Sequence, residues 1–260
     1  MSSAATALAT ACDSLTATSL EQVQSVADLQ TRVDRKYLVP AASFADLIGR
    51  TGERLSVLTI GRRHQFDYES VYFDTSDLIA HRRHAHGRRR RFKIRTRSYV
   101  DSGQTVLEVK TEGGRGETIK DRHPYRLADR YQLTPDARTI VAQQIGDHAA
   151  AHCLDLSLIT RYLRTTLVDY STGSRLTCDV DMVFSDHQRN RPGPDDLVLI
   201  ESKTTGKTAA VDTLLWRMGH RPVSISKYCA GLALLDPDLP ANPWNRVLRR
   251  AFAWEPTRRR

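Results

Sequence analysis

The stretch RRFKIRTRSYV (90–100), followed by QTVLEVKTEG (104–113), decides the fold prediction for this chain. Both runs alternate polar and apolar residues, and the short connection DSG between them ends in glycine, which predicts a β-hairpin. Because side chains alternate across a strand, the odd-numbered basic residues share one face: Arg89, Arg91, Lys93, Arg95 and Arg97. Phe92 and Ile94 point to the opposite face. A disordered cationic tail has no reason to keep this register, so we predict a folded strand.

Six further runs have the composition of strands, namely 32–39, 65–75, 117–127, 157–170, 174–184 and 196–206. Helical patterns lie between them, at 20–30, 42–52, 134–152 and 208–219. Most of the strands follow one another through short connections, with the helices inserted between them. The order of elements therefore predicts an α+β fold with a large antiparallel sheet or barrel.

Several of these strands place their charged and polar residues on one face: Arg32, Asp34 and Lys36; Glu108, Lys110 and Glu112; Tyr162, Arg164 and Thr166; Thr177, Asp179 and Asp181; and Glu201 with Lys203. An antiparallel sheet with one solvated face explains any single strand of this kind. A closed barrel explains why so many strands share this pattern, because the interior of a barrel can be polar when it holds a ligand. Arginines and lysines in such an interior need an anionic ligand to neutralise them.

The net charge of +9 over 260 residues favours a polyanionic partner, such as nucleic acid, anionic lipid or a phosphate-rich small molecule. No signal peptide and no apolar run of membrane-spanning length is present, so we expect a cytoplasmic location. The four cysteines lack the spacing of a zinc site or a disulfide scaffold: Cys12, Cys153, Cys178 and Cys229. We expect a flexible N-terminus (1–18), one domain (19–236) and a basic C-terminal tail (237–260).

Eight segments carry a family resemblance: RVDRKYLV (32–39), SVYFDT (70–75), KIRTRSY (93–99), LEVKTEGGRGETIKDR (107–122), TRYLRTTL (160–167), LTCDVDMVF (176–184), LVLIESKTTG (197–206) and SISKYCAGLALL (224–235). In this order they resemble the VTC domain. This is the polyphosphate polymerase domain of the vacuolar transporter chaperone, within the CYTH-like triphosphate tunnel metalloenzyme superfamily. The resemblance implies an eight-stranded antiparallel β-barrel, the triphosphate tunnel, with flanking helices.

The resemblance also implies an activity. An enzyme of this family transfers the γ-phosphate of ATP to a growing polyphosphate chain and releases ADP, and it depends on Mn²⁺ or Mg²⁺. The expected partners are therefore ATP and inorganic polyphosphate, without nucleic acid. Two alternatives stay open: a tripolyphosphatase or nucleoside triphosphatase on the same fold, and a protein that binds polyphosphate or nucleic acid without catalysis.

Carried over by position, the resemblance implies that five residues act at the reacting phosphates: Arg95, Arg97, Lys110, Arg164 and Lys227. It implies further phosphate contacts, from Lys36, Lys120 and Tyr162, with Arg32, Arg91, Lys93, Arg122 and Lys203 as additional candidates. Glu201 is the implied metal ligand. Glu108 is a second metal candidate, although pairing with a neighbouring arginine would explain it instead.

The sequence departs from the family pattern at two places. Other tunnel enzymes carry E-x-E-x-K near the N-terminus, whereas this chain has RVDRK (32–36), which leaves fewer carboxylates for a metal. The eukaryotic polymerase domains also have a lysine where this chain has Ser224, three residues before Lys227. Both departures concern the charges expected around the bound phosphates.

Overall fold

The computed structural model describes residues 1–27, 33–112, 118–204 and 208–257 of the chain. The α+β class predicted from the sequence is confirmed, with a large antiparallel sheet and helices around it. None of the helices in these four ranges is long and apolar enough to cross a membrane.

The helices of the described residues are α1 Ser3–Cys12, α2 Leu20–Ala27, α3 Ala41–Thr51, α4 Ile79–Ala85, α5 Pro135–Ile145, α6 His148–His152, α7 Ala210–Arg217, α8 Lys227–Leu235 and α9 Asn245–Ala251. The strands are β1 Thr16–Thr18, β2 Val33–Pro40, β3 Leu55–Leu58, β4 Phe66–Asp74, β5 Phe92–Tyr99, β6 Gln104–Glu112, β7 Thr118–Tyr125, β8 Asp155–Asp169, β9 Ser174–Ser185, β10 Asn190–Pro192 and β11 Leu197–Thr204. All eight predicted strands are present, and β1, β3 and β10 are short additions.

The chain divides into two compact units. Unit 1 contains Met1–Phe66, Tyr162–Met182 and Pro192–Ser224, and unit 2 contains the rest of the chain. In unit 1, β2, β11, β9 and β8 are neighbours in that order, β3 pairs with β8, and β1 pairs with β3. Apolar residues of α1, α3 and α7 pack with one face of these strands to form its core.

Near the N-terminus, residues Ser3–Cys12 form helix α1. Ala4, Ala5 and Leu8 on α1 are fully buried in the core of unit 1. The hydroxyl of Ser2 caps the helix by accepting a hydrogen bond from the backbone N–H of Ala5 at 3.1 Å. A segment rich in small residues shows little hydrophobic pattern in the sequence. Alanine nevertheless favours the helical conformation, and its small side chain allows close packing.

Unit 2 is built on the antiparallel meander β4–β5–β6–β7, next to the first part of β8. The predicted hairpin is confirmed, because β5 and β6 pair from Phe92 opposite Thr111 to Tyr99 opposite Gln104. Gly103 closes the connection with a φ of 67°, a left-handed conformation that glycine adopts without steric cost.

The C-terminal segment also packs into unit 2. Trp244, Leu248 and Trp254 are buried, and the indole N–H of Trp254 donates a hydrogen bond to the carbonyl of Ala233 at 2.7 Å. The described residues 244–254 therefore pack within unit 2. β2 and β7 stand at the two ends of the strand order, and a closed barrel would pair them. No strand pair of the described residues joins them, so the fold is described as a large antiparallel sheet and not as a barrel.

Candidate phosphate-binding site

The centre of the candidate site in unit 2 is a buried carboxylate surrounded by cations. We call Glu108, Arg95, Arg97, Lys120 and Arg122 the Glu108 cluster. Strand register assembles it, because Arg95 on β5 lies opposite Glu108 on β6, which lies opposite Arg122 on β7. The face predicted from odd and even positions is therefore the face on which these side chains meet.

The Glu108 carboxylate is fully buried and accepts hydrogen bonds from three sides. Its Oε2 accepts from Nε of Arg95 at 2.7 Å, and its Oε1 accepts from Nε of Arg122 at 2.9 Å. Nζ of Lys120 lies 2.6 Å from Oε1, and Nη1 of Arg97 lies 4.0 Å from the same oxygen. One negative charge is thus shared among four positive charges.

The electrostatics of the cluster follow from this imbalance. Burial favours a neutral Glu108, but Arg95, Arg97 and Lys120 hold the pKa of the carboxyl well below its ordinary value. Burial lowers the pKa of Lys120 to about 7, since desolvation and the nearby Arg122 and Arg97 outweigh the attraction of Glu108. Arg95, Arg97 and Lys120 are mostly buried and Arg122 is about half exposed, and this concentration of cations around one carboxylate suits an anionic ligand.

A row of lysines passes through this cluster. Lys93, Lys110 and Lys120 are register partners on β5, β6 and β7, and Nζ of Lys120 also lies 2.6 Å from Oε1 of Glu108. Lysine ammonium groups are compact point charges that suit phosphate oxygens. We refer to these three residues as the lysine row.

The pKa of Lys120 gives the site a testable pH dependence. Lys120 carries its positive charge below a pKa of about 7 and loses it above. We expect sulfate, which keeps its own charge in this range, to bind about five- to tenfold more weakly at about pH 8 than at about pH 6. Isothermal titration calorimetry at a series of pH values measures this change.

A Lys120→Arg variant is the control for the other titrating groups, because arginine stays charged throughout. Its sulfate affinity should change less with pH than that of the wild type. Identical pH profiles for the two proteins would show that Lys120 does not titrate in the site.

The aromatic side of the cluster connects it to helix α8. Nη1 of Arg95 donates to the hydroxyl of Tyr72 at 3.0 Å, and the ring of Tyr72 stacks on that of Tyr228 with centroids 5.0 Å apart. The hydroxyl of Tyr228 in turn donates to the buried carboxylate of Asp74. Because Tyr228 directly follows Lys227 at the start of α8, this chain of contacts fixes the start of the helix that carries Lys227.

Asp74 is held by the backbone as well as by Tyr228. Its carboxylate accepts hydrogen bonds from the N–H groups of Thr75, Ala80 and His81 at 2.8, 2.9 and 3.0 Å. Burial still raises the pKa of Asp74 above its ordinary value. Sequence reasoning missed Tyr72, Asp74 and Tyr228, although the first two lie in the segment SVYFDT and the third in SISKYCAGLALL.

We expect Tyr228→Phe to lower the free energy of unfolding by about 1–3 kcal/mol, since it removes one donor from the buried Asp74. Tyr72→Phe is the matched control, because it removes one hydroxyl from the same stack but leaves Asp74 fully paired. Urea unfolding measures both. Equal stability losses in the two variants would contradict a special role for the Tyr228–Asp74 bond.

Unit 1 holds a second set of charged residues. We call Glu201, Lys203, Lys36 and Thr177 the Glu201 cluster. Glu201 on β11 lies opposite Lys36 on β2 and opposite Thr177 on β9. Nζ of Lys203 lies 2.9 Å from Oε1 of Glu201 and donates to the hydroxyl of Thr177 at 3.5 Å.

Next to this cluster, Arg164 and Asp179 form a buried bidentate pair. Nε and Nη2 of Arg164 donate to the two carboxylate oxygens of Asp179 at 2.6 and 2.8 Å. The guanidinium also lies 5.1 Å from the ring centre of the buried Tyr162. Asp179 is thus engaged by arginine and not available as a free metal ligand, while it holds Arg164 in a fixed orientation.

The charges of the Glu201 cluster influence one another. Burial lowers the pKa of Lys203, with Glu201 opposing and Arg164 adding to that effect. Burial alone would raise the pKa of Glu201, but Lys203 and Lys36 bring it well below its ordinary value. Glu201 is therefore ionised and, at 22% side-chain exposure, more accessible than the fully buried Glu108.

The remaining predicted site residues are placed as follows. Arg91 lies just before β5 and forms an ion pair with Glu112. Lys227 is the first residue of α8. Arg32 lies outside the described residues.

The described residues contain no group of three or more histidine, cysteine, aspartate or glutamate side chains able to hold a metal ion. Protein ligands alone therefore form no metal cage in these parts of the chain. Glu201 fits a Mg²⁺ or Mn²⁺ that takes one or two carboxylates and completes its shell with phosphate oxygens and water. Glu108 fits less well, because its oxygens already accept from arginine and lysine.

The chain can be compared with known proteins and solved structures. No curated protein matches the chain. Among solved structures it is similar to HpAC1 from Hippeastrum, a protein named as an adenylyl cyclase and described as having a dominant triphosphatase activity. That similarity has 15% sequence identity, covers 77% of this chain and 95% of the other, and has a TM-score of 0.50. This similarity supports the description of the fold.

A second similar structure is the PH1819 protein from Pyrococcus horikoshii, with 11% identity, 77% and 94% coverage and a TM-score of 0.42. The family model of the VTC domain matches residues 31–236, which include both the Glu108 and the Glu201 clusters. Since the match covers most of the chain, the resemblance recognised in the sequence is confirmed, and the chain belongs to the VTC domain family.

Proposed function

We propose that the protein is a metal-dependent polyphosphate polymerase that transfers the γ-phosphate of ATP to a polyphosphate chain and releases ADP. The observation that carries the proposal is the Glu108 cluster, in which four cations surround one buried carboxylate. Such a concentration of cationic donors around one carboxylate suits the binding of phosphate groups. Membership in the VTC domain family supports the polymerase reaction and the closed eight-stranded tunnel that the resemblance implies.

Phosphoryl transfer asks a protein mainly to align the reactants and to neutralise charge. In unit 2, Arg95 is oriented by the Glu108 carboxylate and Arg97 by the ring of Tyr68. In unit 1, Arg164 is oriented by the carboxylate of Asp179. Donors fixed in this way are preorganised for charged oxygens. The lysine row supplies compact point charges for phosphate oxygens. The nucleophile is a terminal phosphate oxygen that is ionised at neutral pH, so the reaction needs no general base.

Glu201 is the residue that would hold the metal. A divalent cation bound there would neutralise charge on phosphate oxygens of the substrate. Lys203 holds Glu201 in its ionised form, and Lys36 adds positive charge opposite it. These residues bind and orient phosphate groups, while Glu201 supplies the one accessible carboxylate of the cluster.

The decisive experiment incubates the purified protein with ATP and Mn²⁺, with and without a short polyphosphate primer, and resolves the products. Long chains together with ADP are the expected result. Release of orthophosphate without polyphosphate chains would show that the protein is a hydrolase and not a polymerase. Binding without turnover, with Mn²⁺ and with Mg²⁺, would leave only a polyphosphate-binding protein.

A triphosphatase is the second candidate. HpAC1, a protein of similar fold, is described as having a dominant triphosphatase activity. The same cationic cluster serves a hydrolase if water reaches the terminal phosphate in place of a polyphosphate chain. The primer separates the two candidates, because it stimulates a polymerase and is itself degraded by a tripolyphosphatase.

A further inference from the structure

Three consecutive arginines, Arg88, Arg89 and Arg90, connect helix α4 to strand β5, and we call them the arginine run. All three are exposed. None forms an ion pair with a carboxylate in the parts of the chain that the structure describes. Three adjacent positive charges without such compensation repel one another, which is a standing cost to the fold unless an anion binds.

The backbone of the arginine run is fixed although its side chains are exposed. The N–H of Arg88 donates to the carbonyl of Arg83 at 2.8 Å, and Nη1 of Arg83 donates to the carbonyl of Arg90 at 3.3 Å. The guanidinium of Arg83 lies 5.6 Å from the ring centre of the buried Phe92. The run is therefore an anchored part of unit 2 and presents its charges from a defined place.

The arginine run is also continuous with the lysine row. Lys93 is three positions after Arg90 in the sequence, so their Cα atoms lie at most about 11 Å apart. This distance is close to the Debye length at physiological ionic strength, so one extended anion can interact with both sets of charges. A nucleoside triphosphate bound by the cations of the sheet has no further phosphates that could contact the arginine run. A long polyphosphate chain has such phosphates.

We propose that the arginine run is a binding site for the extended part of a linear polyphosphate chain, outside the Glu108 cluster and the lysine row. The inference rests on the proposed function for the identity of the chain. Polyphosphate is favoured over single-stranded nucleic acid because proteins that bind the latter stack bases on exposed aromatic rings. The nearest aromatic residue in sequence, Phe92, is 3% exposed and covered by Arg83.

The test compares two triple variants that lose the same charge from the same unit. The first is Arg88→Gln, Arg89→Gln and Arg90→Gln. The control replaces three exposed arginines of helix α9: Arg246→Gln, Arg249→Gln and Arg250→Gln. Long-chain polyphosphate, tripolyphosphate and an oligothymidylate of matched charge are titrated into each protein at several salt concentrations, and urea unfolding verifies that both variants are folded.

We expect the first variant to bind long-chain polyphosphate about 10- to 100-fold more weakly, with a salt dependence reduced by about two to three ions. Its affinity for tripolyphosphate and the affinities of the control variant should match the wild type. These binding measurements need no turnover, so they stand even if the protein proves not to be a polymerase.

Three outcomes would overturn the inference. Equal losses in the two triple variants would show an effect of net charge alone. An equal loss of tripolyphosphate affinity would make the run part of the triphosphate site. Oligothymidylate that binds as tightly as polyphosphate, and loses as much affinity in the first variant, would make the run a nucleic-acid site.

Discussion

Replacement of Glu108 by glutamine is expected to lower the free energy of unfolding by about 3–5 kcal/mol. The carboxylate is fully buried, and it is the negative charge that Arg95, Lys120 and Arg122 share at hydrogen-bonding distance. Glutamine keeps the shape but leaves these cations without compensation. Urea unfolding in a buffer without phosphate or sulfate measures the loss.

Glu112→Gln is the matched control, since the same chemical change on the same strand removes only the partly exposed pair with Arg91. Its cost should be about 1 kcal/mol or less. Tripolyphosphate should restore more stability to Glu108→Gln than to the control, because the anion replaces the lost charge. A Glu108→Gln variant as stable as the control would contradict the central role of this carboxylate.

The Glu108 contribution should also depend on pH with a defined sign. The cations hold the pKa of Glu108 well below the ordinary value of 4.5. Its stabilising effect is therefore complete above pH 4.5 and declines as the pH falls further toward the folded-state pKa. The stability difference between wild type and Glu108→Gln should shrink in acid.

The second large effect is expected for Glu201→Gln, which should lower metal-dependent turnover about 10²- to 10³-fold. The substitution keeps the size of the side chain but removes the charge that a divalent cation requires from it. Steady-state rates with ATP and primer, measured across a range of Mn²⁺ concentrations, test the prediction. Higher Mn²⁺ should recover part of the lost rate.

Glu112→Gln serves again as the control and should leave the metal dependence unchanged. Binding of tripolyphosphate without metal should persist in Glu201→Gln, since it removes one negative charge and no cation. Full activity of Glu201→Gln with an unaltered Mn²⁺ requirement would refute the assignment of the metal to this residue, and it would leave the anion site of unit 2 untouched.

The sequence predicted the hairpin and the side of the sheet on which its cations lie, because these depend on a period of two along single strands. Arg95, Glu108 and Arg122 meet on one face as that period requires. The sequence could not give the register of one strand against another. It therefore could not show that Arg95 and Arg122 both contact Glu108, which follows from the pairing across β5, β6 and β7.

The packing of helix α1 could not be predicted from the sequence, for a related reason. Small residues such as Ala4 and Ala5 carry little hydrophobic signal along the chain. Their burial depends on the strands and helices that α1 packs against, and these lie far away in sequence. The Tyr72–Tyr228–Asp74 contacts were missed for the same reason, since 154 positions separate Asp74 from Tyr228.

By itself, then, the sequence determined the α+β class, the strands, the cationic face and the family. Strand periodicity is a local property that a single chain displays directly, and the family followed from the resemblance of eight segments in order. The tertiary structure alone decided which charges meet: Glu108 with four cations, Asp179 with Arg164, and Glu201 with Lys203. The physical reason is that pairing energies depend on distance and burial, and both are fixed only when strands distant in sequence lie side by side.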